Sequence, residues 1–87
     1  MANNSENNQI VMYGTTMCSD CRRTKQFFEA NKVSYKWVDL ANDPDAVEFV
    51  LKHNNGMQSV PTIIFPDGSI MVEPSNKELA EKLAVLV

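Results

Sequence analysis

The only two cysteines of the chain, Cys18 and Cys21, stand as Cys-x-x-Cys directly after the apolar run Ile10-Val11-Met12-Tyr13 and directly before Thr24-Lys25-Gln26-Phe27-Phe28. An apolar run that gives way to a helical pattern across a short polar bend puts the pair where a strand hands over to a helix N-terminus. The first turn of a helix has backbone N–H groups without intrahelical partners and carries about half a positive charge, so a sulfur there is favoured as thiolate, the reactive form. Cys18 takes that position. Cys21, three residues on, lies on the same helix face with its Cα about 5 to 6 Å away, within reach of a disulfide. The chemistry this implies is thiol–disulfide exchange, with Cys18 as nucleophile and Cys21 as the resolving thiol. Arg22, Arg23 and Lys25 make the neighbourhood positive, and Asp20, between the cysteines, opposes them; Asp20 and Arg22 are therefore expected to tune the thiol ionisation.

Two other uses of the cysteines are weaker. A structural disulfide would close a loop of only a few residues and gain little, and zinc needs four ligands where two cysteines and the lone His53 supply three. No metal site is expected, and His53, near a helix end, reads as a surface residue facing the C-terminal dipole. The 87 residues, 44% of them apolar, suffice for one core and not for two. Two cysteines are too few for a secreted disulfide scaffold and no signal-like start precedes the domain, so a cytoplasmic location is expected. No run approaches the roughly 18 apolar residues of a membrane span, and 11 acidic against 8 basic side chains argue against nucleic acid. A monomer without membrane or nucleic-acid partners is expected.

Residues 1–8, polar and without periodicity, read as a disordered tail ahead of a single domain over 9–87. Ile10 to Tyr13 predict a strand, Ser19 to about Asn31 a helix with Phe27 and Phe28 in the core, and Tyr35 to Leu40 a second strand. Strand, helix, strand with a crossover of this length implies parallel pairing. Asp43 and Pro44 predict the cap and first position of a second helix, which stops at Asn54-Asn55-Gly56 with glycine in the left-handed conformation. Thr62 to Phe65 and Ile70 to Val72, joined by Pro66-Asp67-Gly68-Ser69, predict an antiparallel hairpin. Ser75-Asn76-Lys77-Glu78 predicts a capping box for a last helix with Leu79, Leu83 and Leu86 on its apolar face. The chain thus reads as βαβαββα, an α/β sandwich with a mixed four-stranded sheet.

This order, with Cys-x-x-Cys after the first strand and Val60-Pro61 before the third, resembles the glutaredoxin branch of the thioredoxin fold over residues 10–87. Within that branch the likeness is to mycoredoxins and related bacterial glutaredoxin-like proteins, through Tyr13-Gly14-Thr15-Thr16-Met17-Cys18, Val38-Asp39, Asn54-Asn55-Gly56, Ser59-Val60-Pro61-Thr62, Phe65-Pro66-Asp67-Gly68-Ser69 and Glu73-Pro74-Ser75. The resemblance implies a cis Val60–Pro61 bond whose loop faces the cysteines, with Ser59, Val60, Pro61, Tyr13 and Met17 contacting substrate. Tyr13 and Trp37 also read as core aromatics. The resemblance further implies a protein disulfide reductase without a tightly bound cofactor, using a low-molecular-weight thiol, mycothiol or glutathione, as co-substrate. Disulfide-containing proteins, and a flavin disulfide reductase, are the implied partners. Three features depart from glutathione users: Ser19-Asp20 replaces a proline-containing spacer, Thr15 stands in place of a lysine, and Val72-Glu73-Pro74 in place of a glycine pair. These favour mycothiol, or reduction by a flavin reductase. The alternatives are a thioredoxin-reductase-dependent hydrogen donor, for example to ribonucleotide reductase, and an iron–sulfur carrier held through Cys18.

Overall fold

The structure, a computed structural model, describes residues 9–86, without the side chain of Leu86. The tail expected over residues 1–8 and the place of Leu86 on the last helix's apolar face lie outside what is described. Four strands, β1 (Ile10–Gly14), β2 (Tyr35–Asp39), β3 (Thr62–Ile64) and β4 (Ile70–Val72), form one sheet in the order β2-β1-β3-β4. Strand β1 runs parallel to β2, with Met12 opposite Trp37, and antiparallel to β3, with Met12 opposite Ile63; β3 and β4 form the antiparallel hairpin. Three helices complete the fold: α1 (Ser19–Ala30), α2 (Pro44–His53) and α3 (Asn76–Leu86).

Alternation along β1 divides the core between the two sheet faces. Ile10 and Met12 point to the side where Phe28 of α1 and Leu79 of α3 meet Ile63 and Phe65, all of them buried. Tyr13 points the other way, into a smaller cluster of Leu40, Ala46 and Val50 under α2. Both parts are held by the local devices read in the sequence. The Asp43 carboxylate accepts the Ala46 N–H at 3.1 Å with Pro44 opening α2. The Ser75 hydroxyl accepts from the Glu78 N–H at 3.1 Å while the Glu78 carboxylate accepts the Ser75 N–H at 2.8 Å, a closed capping box.

Two strand ends differ from expectation. Strand β2 stops at Asp39, because its carboxylate accepts the Ala41 N–H at 2.9 Å and turns Leu40–Asn42 into a single 3-10 turn that buries Leu40. A short acceptor side chain offered the backbone an alternative to the ladder. Strand β3 stops at Ile64, since the Phe65 N–H already bonds to the Ser69 carbonyl at 2.9 Å inside the hairpin turn. Helix α1 ends at Ala30 with Asn31 as its cap, and α2 ends with both Asn55 and Gly56 at positive φ, 58° and 87°.

Candidate active site

Residues 15–17 bring the chain from the end of β1 to Cys18, which has extended φ and ψ of −84° and 118° and serves as the N-cap of α1. Its sulfur takes the part usually played by a serine or aspartate oxygen, accepting the Cys21 backbone N–H at 3.0 Å. Both cysteines are free thiols; Cys18 is half-buried and Cys21 is fully buried. Across from the helix end, the Val60 carbonyl lies 3.8 Å from the Cys18 sulfur, in position to accept its S–H. The Val60–Pro61 peptide is cis, Pro61 is buried, and its carbonyl accepts the Glu73 N–H at 2.9 Å. The half-buried sulfur thus sits between an N–H donor of the helix and a carbonyl of the proline loop.

Set beside known proteins, this arrangement has company. The sequence model of the glutaredoxin family matches residues 10–70. A protein of Mycobacterium tuberculosis named as a glutaredoxin is 39% identical over 74 residues, 85% of this chain and 88% of its own. Mycoredoxin 1 of Corynebacterium glutamicum is 29% identical over 77 residues, 88% of this chain and 95% of its own. The crystal structure of a mutant thioredoxin-like protein superposes with a TM-score of 0.76 at 26% identity, covering 87% of this chain and 95% of that one. The chain belongs to the glutaredoxin family of thiol oxidoreductases.

Within this glutaredoxin-family site the two sulfurs have different surroundings. Burial pushes the Cys21 thiol up to about 12, helped by its hydrogen bond with Cys18 and by the charges of Cys18 and Asp20, and opposed by a hydrogen bond from the Thr15 backbone. A pKa raised in the folded state means that, above the ordinary thiol range, the unfolded chain has released a proton that the folded chain still holds. The reduced protein is expected to lose stability as pH rises from about 9 towards 12. Cys21→Ala should flatten that decline. Urea midpoints of both proteins between pH 8 and 11 under reducing conditions check this; equal slopes would refute it.

The three cations have structural partners. The Arg22 guanidinium donates to the Thr16 carbonyl at 2.9 Å, which ties down the loop before Cys18. Arg23 donates to the Pro74 carbonyl at 3.0 Å and to the Asn76 side chain, and lies 3.7 Å from Asp20. Lys25 sits 4.2 Å over the Trp37 ring. Arg22 is thus found holding a backbone turn. Ser59 accepts the Thr62 hydroxyl at 2.7 Å and shapes the proline loop from beneath. Met17, beside Cys18, is 86% exposed.

Tyr13 is placed differently. Because Gly14 faces α1, its neighbour must face α2, and the Tyr13 ring stacks on Phe49 at 5.1 Å. It lines a groove of about 380 Å³ with Val11, Lys36, Asp43 and Phe49, and neither cysteine lines that groove. Burial, and secondarily the Asp43 charge, raise its phenol pKa. His53, exposed at the end of α2, stacks on Phe49 at 6.1 Å. Among the described residues no three His, Cys, Asp or Glu side chains converge as metal ligands, and no helix is long and apolar enough to cross a membrane.

Gly14, quoted above only as part of the stretch leading to Cys18, has a role of its own. A Cβ at this position would lie 2.5 Å from the Cys21 sulfur and 2.9 Å from the Trp37 indole. A glycine in a strand that ends at a reactive cysteine is the signal that could have found it, since glycine within a strand often marks close approach. Glu73 was also missed as a backbone feature: it is a non-glycine residue at φ 51°, held there by its bond to Pro61.

Proposed function

We propose that this protein reduces protein disulfides, and mixed disulfides between proteins and a low-molecular-weight thiol, through Cys18 and Cys21. The observation that carries the reading is the contrast between the sulfurs. Cys18 is reachable and accepts a helix N–H at 3.0 Å, whereas Cys21 is fully enclosed and holds its proton. Cys18 is therefore the sulfur that meets substrate. Its thiolate attacks one sulfur of the substrate disulfide, a bond forms between Cys18 and that sulfur, and the other sulfur leaves with the electron pair and takes a proton from solvent. In the second half, Cys21 attacks the Cys18 sulfur, the protein disulfide closes, and the substrate leaves as a thiol carrying the proton that Cys21 gave up. A second small thiol can perform the same displacement on the mixed disulfide.

Ser59, Val60 and Pro61 form the opposing wall. The Val60 backbone beside the sulfur suits an extended substrate segment, which could pair with it as an added strand does, and the exposed Met17 offers that segment an apolar contact. The likeness to mycoredoxin 1, and a sequence lacking the lysine and glycine pair of glutathione users, favour mycothiol as the co-substrate. The Glu73 N–H, already bonded to Pro61, is not free to bind a carboxylate.

NADPH consumption, coupled to each recycling system in turn, tests the reading. Turnover of a mixed disulfide is expected with mycothiol and its reductase and to be weaker with glutathione and its reductase. Turnover with a thioredoxin-type flavin reductase alone, undiminished when both small thiols are left out, would replace the thiol-dependent reading with that of a hydrogen donor.

A further inference from the structure

One polar group in the interior takes no part in the exchange just described. Thr24 is 0% exposed, and its hydroxyl is the one buried side-chain oxygen or nitrogen among the described residues without a hydrogen-bond partner. Buried hydroxyls are nearly always paired, and a threonine within a helix ordinarily bonds to a carbonyl one turn back. This one does not. It lies three residues after Cys21, on the buried face of α1 that Cys21, Thr24 and Phe28 share. Helical side chains lean towards the N-terminus, so the Thr24 side chain covers the turn that carries Cys21.

We propose that the Thr24 hydroxyl is the donor that steadies Cys21 as an anion while it attacks the Cys18 mixed disulfide. The inference rests on Cys21 being the resolving thiol. In the reduced protein Cys21 hydrogen-bonds to Cys18. Once Cys18 is bonded to a substrate sulfur, it is a far weaker acceptor for the Cys21 S–H. Cys21 must then pass its proton to the departing thiol while it forms the new S–S bond, and the Cys18 bond to the substrate breaks with the electron pair going to the substrate sulfur. The developing charge sits where water does not reach, wedged towards Gly14 and Trp37. An unpaired buried charge is costly, and a hydroxyl that can rotate without giving up another bond is suited to meet it. Around Cys21 the titratable groups that act on it are Cys18 and Asp20 of its own segment; Gly14 of β1 and Trp37 of β2 bring no charge of their own, and Lys25 lies over the indole.

Stopped-flow mixing of the reduced protein with the aromatic disulfide 5,5′-dithiobis(2-nitrobenzoate) separates the two steps, because each displacement releases one coloured thiolate. The first reports Cys18 and the second reports Cys21. In Thr24→Val the first phase should be unchanged, whereas the second slows by about ten- to a hundredfold, the worth of one hydrogen bond to a charged group, and its pH midpoint rises. Thr24→Ser should restore both the rate and the midpoint. Replacing an orphaned hydroxyl with a methyl group leaves thermal stability unchanged or higher; should the valine variant fold poorly, Thr24→Ala gives the same comparison with serine. A second phase of wild-type rate and midpoint in Thr24→Val overturns the proposal, and so does a serine variant as slow as the valine one. Cys21→Ser should release a single equivalent. In wild type the second phase should not depend on reagent concentration; if its rate instead rises in proportion to the reagent, a second reagent molecule is attacking Cys21, Cys21 is not the resolving thiol, and the underlying reading falls independently of Thr24.

Discussion

Cys18→Ser is expected to lower turnover on every disulfide substrate by roughly a thousandfold or more, since a serine hydroxyl does not ionise near neutral pH and oxygen cannot carry the exchange. The fold should survive the change. Serine is among the best N-cap residues, so its oxygen can accept the Cys21 N–H now received by the Cys18 sulfur. Thermal melting should therefore match wild type or rise slightly, which separates chemical loss from unfolding. Cys21→Ser should behave differently, losing intramolecular closure of the site disulfide but turning over mixed disulfides when a small thiol is in excess. Alkylation of the reduced wild type followed by peptide mass mapping should find Cys18 modified at neutral pH and Cys21 protected. Near-normal turnover in Cys18→Ser, or preferential labelling of Cys21, would overturn the assignment of roles.

What the chain order disclosed was local in origin. The Cys-x-x-Cys spacing, the Asp43-Pro44 helix start and the Ser75–Glu78 capping box each depend on residues within one turn of each other, and each is found in place. The strand ends at Asp39 and Ile64 were less legible, because a side-chain acceptor and a turn carbonyl compete with the ladder there and composition does not show which prevails. Alternation along β1 held the answer for Tyr13: a glycine turned to the cysteine helix sends the preceding ring to the opposite layer. The cations around the cysteines looked like a field for anionic thiols. In three dimensions Arg22 serves the Thr16 carbonyl, Arg23 links α1 to the Pro74 segment, and Lys25 covers Trp37. Those partners come from distant parts of the chain, and no spacing rule reports them. The orphaned Thr24 hydroxyl could not be seen before the sheet and α1 were brought together, and the crowding over Gly14 was hinted at only by a glycine inside the strand that leads to the cysteines.

That crowding leads to the second large effect. Placing an alanine in an exposed strand in place of glycine usually helps by a few tenths to about 1 kcal/mol, because the unfolded chain loses freedom. At Gly14 the sign should reverse. The new methyl would stand 2.5 Å from the Cys21 sulfur and 2.9 Å from the indole, closer than carbon tolerates, and all three groups lie within the interior layer between β1, β2 and α1. Overpacking of this kind costs about 1–3 kcal/mol, which for a domain of this size lowers Tm by roughly 5 to 20 °C. The strain falls on the resolving sulfur, so the second coloured release of the stopped-flow experiment should slow as well, while the first persists. A double-mutant cycle isolates the cause. Cys21→Ala removes the atom in nearest conflict, and Gly14→Ala should therefore cost clearly less in that background than in wild type. If the two losses simply add, the sulfur is not what Gly14 makes room for, and the indole alone sets the limit. A Gly14→Ala protein as stable as wild type would show that α1 can move away from the sheet, and that the close seating of Cys21 is not required by the fold.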